Sequence, residues 1–280
     1  RSANLCVSAD DGRTPGMKSL EIQNLSFAYS KKGPQVLQDV SFSTEDGDLI
    51  AVLGPNGVGK STLFKCMLGF LKKYSGTILL NGKNISELTH KQIARQIAYI
   101  PQSTHPVFNY EVLDVVMMGL TSSLKALSSP KQEHIEEARE ALKSLGIAHL
   151  EHAGYGEISG GERQLVLIAR ALVQKSKILI MDEPTANLDY GNQFRVMQRV
   201  AGLAKEGYTI ILSTHNPDHA FIYANRVVMM FGGKVIADGN PEEVLDAELI
   251  RKVYGVEVMV NTFENTKRTH KLCVPKDTEF

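Results

Sequence analysis

Gly54-Pro55-Asn56-Gly57-Val58-Gly59-Lys60-Ser61 is the stretch on which the fold turns. Its spacing, a glycine followed five residues later by Gly-Lys-Ser, is that of a phosphate-binding loop. Gly54, Gly57 and Gly59 let the backbone aim its N–H groups at phosphate oxygens, with Pro55 and Asn56 completing the cradle. The N-terminus of the following helix adds its positive dipole. Lys60 then suits the β- and γ-phosphates, Ser61 a Mg²⁺ ion, and Thr62 the α-phosphate. The flanks agree with this reading. Leu49-Ile50-Ala51-Val52-Leu53 precedes the loop as a strand-length apolar run, and Leu63, Phe64, Met67, Leu68 and Leu71 follow with helical spacing.

Outward from the loop, short apolar runs alternate with helical patterns, the pattern of a parallel sheet covered by helices. Ile178-Leu179-Ile180-Met181 and Thr209-Ile210-Ile211-Leu212 are continuous, like 49–53, and read as strands buried on both faces. Val227–Phe231, Gly232-Gly233 and Lys234–Ala237 form a hairpin pattern. Leu20–Tyr29 alternates and reads as an outer antiparallel strand. Between about Pro106 and Lys175 helices take over. Ser129-Pro130-Lys131-Gln132 predicts a helix start, with a capping hydroxyl and proline at the first position. Ile135, Ala138, Leu142 and Leu145 mark its buried face, and Gly146 ends it.

Composition removes several classes of function. Lys+Arg and Asp+Glu are 31 each, so no net charge favours nucleic acid as a partner. The apolar fraction of 43% suffices for a large core. Cys6, Cys66 and Cys273 show neither disulfide-framework nor metal-ligand spacing. Cys66 reads as a core residue. No run reaches the roughly 18 apolar residues of a membrane span. Residues 1–16 are polar and turn-rich and read as a leader or appended extension before a start at Met17.

A second chemical element is Asp182-Glu183, two acids carried to the C-terminal end of an apolar strand, where open α/β sheets bind ligands. Asp182 suits Mg²⁺, and Glu183 suits the base that polarises an attacking water. Capping of the turn at Pro184 is the plainer role for both. Phosphate-loop kinases and GTPases remain open at this point. Ile158-Ser159-Gly160-Gly161-Glu162-Arg163-Gln164 narrows them. Ser159 with Glu162 is a capping box, and a capped helix start with bare glycines is an anion site. The segment also resembles the signature motif of ATP-binding cassette (ABC) proteins, with isoleucine and glutamate in place of the usual leucine and glutamine.

That resemblance implies roles in sequence order. Tyr29 matches the aromatic residue that stacks on adenine. Gln102 matches the Q-loop residue that touches Mg²⁺ and water. Ala186-Asn187-Leu188-Asp189 matches the D-loop, and His215 matches the switch histidine at the γ-phosphate. The family's fold is α/β: a phosphate-loop nucleotidase core with a mostly parallel sheet, an antiparallel β subdomain and an inserted α-helical subdomain. On this chain the core is expected at about 17–104 and 176–260, the helical insert at about 105–175, and a C-terminal extension at about 261–280. The implied assembly is a head-to-tail homodimer. Each ATP lies between one copy's phosphate loop and the other's Ser159, Gly160, Gly161 and Asp189.

Asn109–Gly119, with Val112, Val115, Val116 and Met118 as a buried helix face, resembles the metal-chelate importer group. Gly161–Leu172, and Val253-Tyr254-Gly255-Val256 followed by the strand-like Leu272-Cys273-Val274-Pro275, resemble it too. The expected function is ATP hydrolysis coupled to import of a ferric-siderophore-type chelate. Expected partners are a polytopic membrane permease and, through it, a substrate-binding protein, with the chain peripheral at the cytoplasmic face. Cobalamin, haem or oxyanion import, or a cassette ATPase without a transport role, are the alternatives.

Overall fold

A computed structural model describes residues 18–102, 109–122, 131–265 and 268–276. Residues 1–17, and with them Cys6 and the expected start, lie outside them, as do Pro106, Ser129 and Pro130. The strands are β1 (Leu20–Phe27), β2 (Leu37–Thr44), β3 (Leu49–Leu53), β4 (Ser75–Leu80), β5 (Lys83–Asn84), β6 (Ile97–Ile100), β7 (Ile178–Met181), β8 (Thr209–Thr214), β9 (Arg226–Phe231), β10 (Lys234–Gly239), β11 (Val258–Asn265) and β12 (Arg268–Pro275). The helices are α1 (Lys60–Met67), α2 (His90–Ala94), α3 (Val112–Met117), α4 (Gln132–Ser144), α5 (Gly160–Val173), α6 (Tyr190–Lys205), α7 (Pro217–Tyr223), α8 (Pro241–Val244) and α9 (Ala247–Tyr254).

A six-stranded sheet runs β10-β9-β3-β8-β7-β6, parallel except for the β9–β10 hairpin. Its central strands are buried on both faces because successive side chains feed different cores. Ile50, Val52, Ile180 and Ile211 point into one core with Phe64 and Met67 of α1. Leu49, Ala51, Leu53, Leu179, Met181, Ile210 and Leu212 point into the other, under α3 to α7. Cys66 belongs to the first core, and burial pushes its thiol up to about 12.

The antiparallel sheet, β2-β1-β4-β5, covers the first core. Here the expectation of an outer strand is corrected, because β1 is paired on both sides, by β2 and β4. Its pattern is also not a plain alternation. Leu20 and Ile22 are buried, then Leu25 and Phe27, so parity flips where Asn24 takes φ 52 and the pairing register shifts. That is the effect of a bulge on a strand of period two.

Two further expectations change. The first described turn of α4 starts at Gln132 rather than at Pro130, because Lys131 is its N-cap and donates its N–H to His134 Nδ1 at 2.9 Å. Met118 lies beyond the end of α3 and is 42% exposed, while Leu113 and Leu120 take core positions beside Val112, Val115 and Val116. The C-terminal strand pattern is realised as β12, paired with β11. This hairpin is anchored to α7 by the Cys273 N–H donating to Asp218 Oδ1 at 2.8 Å.

Candidate active site

Strand register alone collects most of the site. Leu53 pairs with Thr214, Met181 with Leu212, and Ile100 with Met181, so β3, β8, β7 and β6 end together. The residues just past those ends are the loop Gly54–Gly59, His215, Asp182-Glu183 and Gln102. Four segments far apart in sequence thus converge at the carboxyl edge of the sheet, the ligand edge of this class of fold.

The loop is built for close approach. A Cβ at Gly54 would stand 2.4 Å from the Met230 carbonyl oxygen, whereas at Gly57, with φ 80, the space outside is open. Only glycine meets both demands without strain. Lys60 is buried, and its Nζ donates to the carbonyls of Gly54 at 2.6 Å and Pro55 at 3.3 Å. Burial lowers its pKa, and the nearby Glu183 and Asp182 carboxylates oppose that shift. Ser61 is exposed on the first turn of α1. Thr62 is buried and shares a 3.0 Å hydrogen bond with the Tyr29 hydroxyl. The Tyr29 ring meets Phe27 edge-on and is otherwise 62% exposed, so Tyr29 is not a core residue.

Glu183 is the hub of the cluster. Its Oε2 accepts from Gln102 Nε2 at 3.1 Å and stands 3.8 Å from His215 Nδ1, while Oε1 is 3.9 Å from Lys60 Nζ. Its backbone takes φ 45, a conformation that costs a non-glycine residue about 1 kcal/mol or more unless neighbours hold it. The holding group is Ser213, which local sequence patterns do not single out. Fully buried at the end of β8, Ser213 Oγ accepts the Glu183 N–H at 2.8 Å and donates to Asp182 Oδ1 at 2.7 Å. One hydroxyl thereby fixes both acids. Ser213→Ala is expected to lower kcat about 10- to 100-fold, as loss of a supporting hydrogen bond does in such sites. Steady-state ATPase assays over a Mg²⁺ series check this, and wild-type kcat would remove Ser213 from the site.

Ser159, Gly160, Gly161 and Asp189 are placed elsewhere. Among the described residues none of them shares a hydrogen bond or ion pair with 54–62, Gln102, Asp182, Glu183 or His215. Ser159 caps α5 in a full capping box: its N–H donates to Glu162 Oε2 at 2.8 Å, and its Oγ accepts the Glu162 N–H at 3.3 Å. The Ser159 side chain and backbone both lower the Glu162 pKa. Asp189 caps α6, and the Asn192 backbone N–H is the main cause of its lowered pKa.

Comparison with known proteins gives one answer. The model of the ABC transporter family matches residues 37–186. An uncharacterized ABC transporter ATP-binding protein of Haemophilus influenzae is 41% identical, covering 84% of this chain and 89% of its own. A probable iron chelatin transport ATP-binding protein of Helicobacter pylori is 36% identical over 84% and 92%. A hemin import ATP-binding protein of Pseudomonas fluorescens is 34% identical over 92% and 100%. Among solved structures, one described as an inward-facing metal-chelate type ABC transporter is similar with a TM-score of 0.82 and 30% identity, over 93% of this chain and 98% of that one. Among the described residues no helix is long and apolar enough to cross a membrane. With its phosphate loop, acidic pair and capped signature helix on an α/β sheet, the chain belongs to the ABC transporter family, as one of its ATP-hydrolysing subunits.

Proposed function

We propose that the chain powers an importer whose cargo is a metal chelate of the ferric-siderophore type. The observation that carries the hydrolytic part is the Glu183 carboxylate, set among Gln102, Lys60 and His215 within 3.9 Å. In this reading Glu183 takes a proton from the attacking water. Lys60 exchanges the loop carbonyls for the β- and γ-phosphates, and His215 contacts the γ-phosphate. Tyr29 stacks on adenine, with Thr62 at the α-phosphate and the loop Gly54–Gly59 cradling the chain of phosphates.

The Ser61 hydroxyl, the Gln102 amide oxygen and the Asp182 carboxylate are hard oxygen donors that fit Mg²⁺. When bound, the ion neutralises charge developing on the β- and γ-oxygens. Ser159, Gly160, Gly161 and Asp189 serve the nucleotide of a second copy, and differential affinity for ATP closes the homodimer. The helical subdomain, to which α3, α4 and α5 belong, meets the permease together with Gln102 at the cytoplasmic membrane face. A substrate-binding protein delivers the chelate to that permease.

The relatives named for iron chelatin and hemin, and the metal-chelate type structural relative, support the cargo class. The test is reconstitution of the chain with its co-purifying permease and binding protein in liposomes. ATP-driven uptake of a ferric siderophore, and not of hemin or cobalamin, is the expected result. Uptake of hemin instead would move the assignment to that cargo. Stable association with ribosomes or DNA, without a permease, would overturn the transport reading.

A further inference from the structure

The two segments assigned above to the partner's nucleotide, the helix start at Ser159–Glu162 and the turn at Ala186–Asp189, are fastened to each other within one chain. Asp189 Oδ1 accepts the Asn192 N–H at 2.9 Å, an ordinary N-cap bond. Its Oδ2 accepts Asn192 Nδ2 at 2.7 Å, a second bond that an ordinary cap does not make. One residue therefore engages both oxygens of Asp189. With its Nδ2 committed, the Asn192 side chain lies against Gly161. A Cβ at 161 would stand 2.6 Å from Asn192 Cγ, 2.7 Å from Oδ1 and 2.8 Å from Cβ, where no carbon fits.

The preceding residue repeats the contact. A Cβ at Gly160 would lie 3.3 Å from Leu188 Cδ2, and the Leu188 carbonyl is itself held by Gln193 Nε2 at 2.9 Å. Two successive glycines of α5 are thus seated on 188–193, and Gly161 is buried there. The bareness of Gly161 has a cause inside the chain, apart from any nucleotide.

We propose that Asn192 is a positioning residue that locks the start of α5 to the 186–189 turn, so that both move as one body when the partner's ATP is engaged. The inference rests on the two-copy site proposed above. A rigid link of this kind transmits closure at one nucleotide to the seam that borders the other. The two sites are then coupled through a shared element, as cooperativity requires.

The test uses the full chain and compares Asn192→Ala, Asn192→Asp, Gly161→Ala and the Gly161→Ala/Asn192→Gly double variant. The readouts are kcat, the Hill coefficient for ATP, and affinity of the monomer for a fluorescent ATP analogue. Asn192→Ala is expected to lower kcat about tenfold and bring the Hill coefficient toward one, while ATP affinity stays within about twofold. Asn192→Asp keeps the shape of the side chain but sets a carboxylate against Asp189, so the same loss is expected without a new cavity. Gly161→Ala alone collides with Asn192, and the double variant, which removes the Cβ of residue 192 along with Cγ and Oδ1, makes room and should recover about tenfold in kcat over it.

A double variant no better than Gly161→Ala, or wild-type kcat and cooperativity in Asn192→Asp, would overturn the proposal. If Gly161→Ala does not fold, the two Asn192 variants decide alone. Ser159→Arg separates the two levels. It adds bulk at the face offered to the partner and should block hydrolysis with monomer ATP binding retained. Wild-type hydrolysis there rejects the two-copy site itself, whereas a block there together with a failed rescue rejects only the role of Asn192.

Discussion

Glu183→Gln keeps ATP binding and lowers turnover about 10²- to 10⁴-fold, the range supplied by a positioned general base. The change is isosteric, so the Ser213 bond to the backbone N–H of residue 183, which holds φ at 45, is untouched. The amide oxygen can still accept from Gln102 Nε2, so that contact survives as well. Two things are lost: a group able to take a proton, and a negative charge 3.9 Å from Lys60. Removing that charge also relieves repulsion toward a γ-phosphate, so ATP is held at least as tightly as by the wild type. With hydrolysis blocked and binding intact, an ATP-bound dimer accumulates. Phosphate release at saturating ATP, with size-exclusion chromatography in ATP, measures both effects. Hydrolysis at the wild-type rate would assign the base to another residue.

Phe64→Ala is expected to destabilise the fold by about 3–5 kcal/mol, the usual cost of emptying a buried aromatic site. Phe64 is fully buried on α1, in the core shared by the antiparallel sheet and one face of the parallel sheet. Neither sheet can close onto the other without opening its own hydrogen-bonded ladder, so the cavity is only partly relieved. Phe70, just past α1, is 59% exposed, and Phe70→Ala should shift stability by no more than about 0.5 kcal/mol. Urea denaturation of the pair checks the contrast, and equal shifts would mean that α1 does not pack as described. The consequence reaches the site, because α1 begins at Lys60. Weakened ATP binding by Phe64→Ala at temperatures below its unfolding transition is expected for that reason.

Much of this molecule is legible locally. The glycine spacing at 54–59, the continuous runs at 49–53, 178–181 and 209–212, and the Ser159–Glu162 capping box each rest on neighbours in the chain. The three runs are strands buried on both faces, Ser159 with Glu162 caps α5, and 54–59 joins β3 to α1. Local pattern and structure part where a local signal has a competitor of similar strength. At the start of α4, Lys131 is the N-cap and Gln132 the first helical residue, later than a proline signal at 130 predicts. In β1 the bulge at Asn24 hid a two-sided strand behind an apparently one-sided pattern.

What the sequence by itself determined is the chemistry available: a phosphate loop, an acidic pair at a strand end, and a capped glycine-bearing helix. These depend on spacings of a few residues, which helix and strand periods fix. Only the tertiary structure decided how they meet. Strand β8 sits between β3 and β7, which brings His215 to Glu183 and lays Ser213 across Asp182 and Glu183. The same holds for Asn192 against Gly161. The physical reason is that strand order and helix docking are set by burial of whole apolar faces between segments far apart in the chain. A serine at a strand end or an asparagine in a first helical turn carries no local mark of the partner that packing gives it.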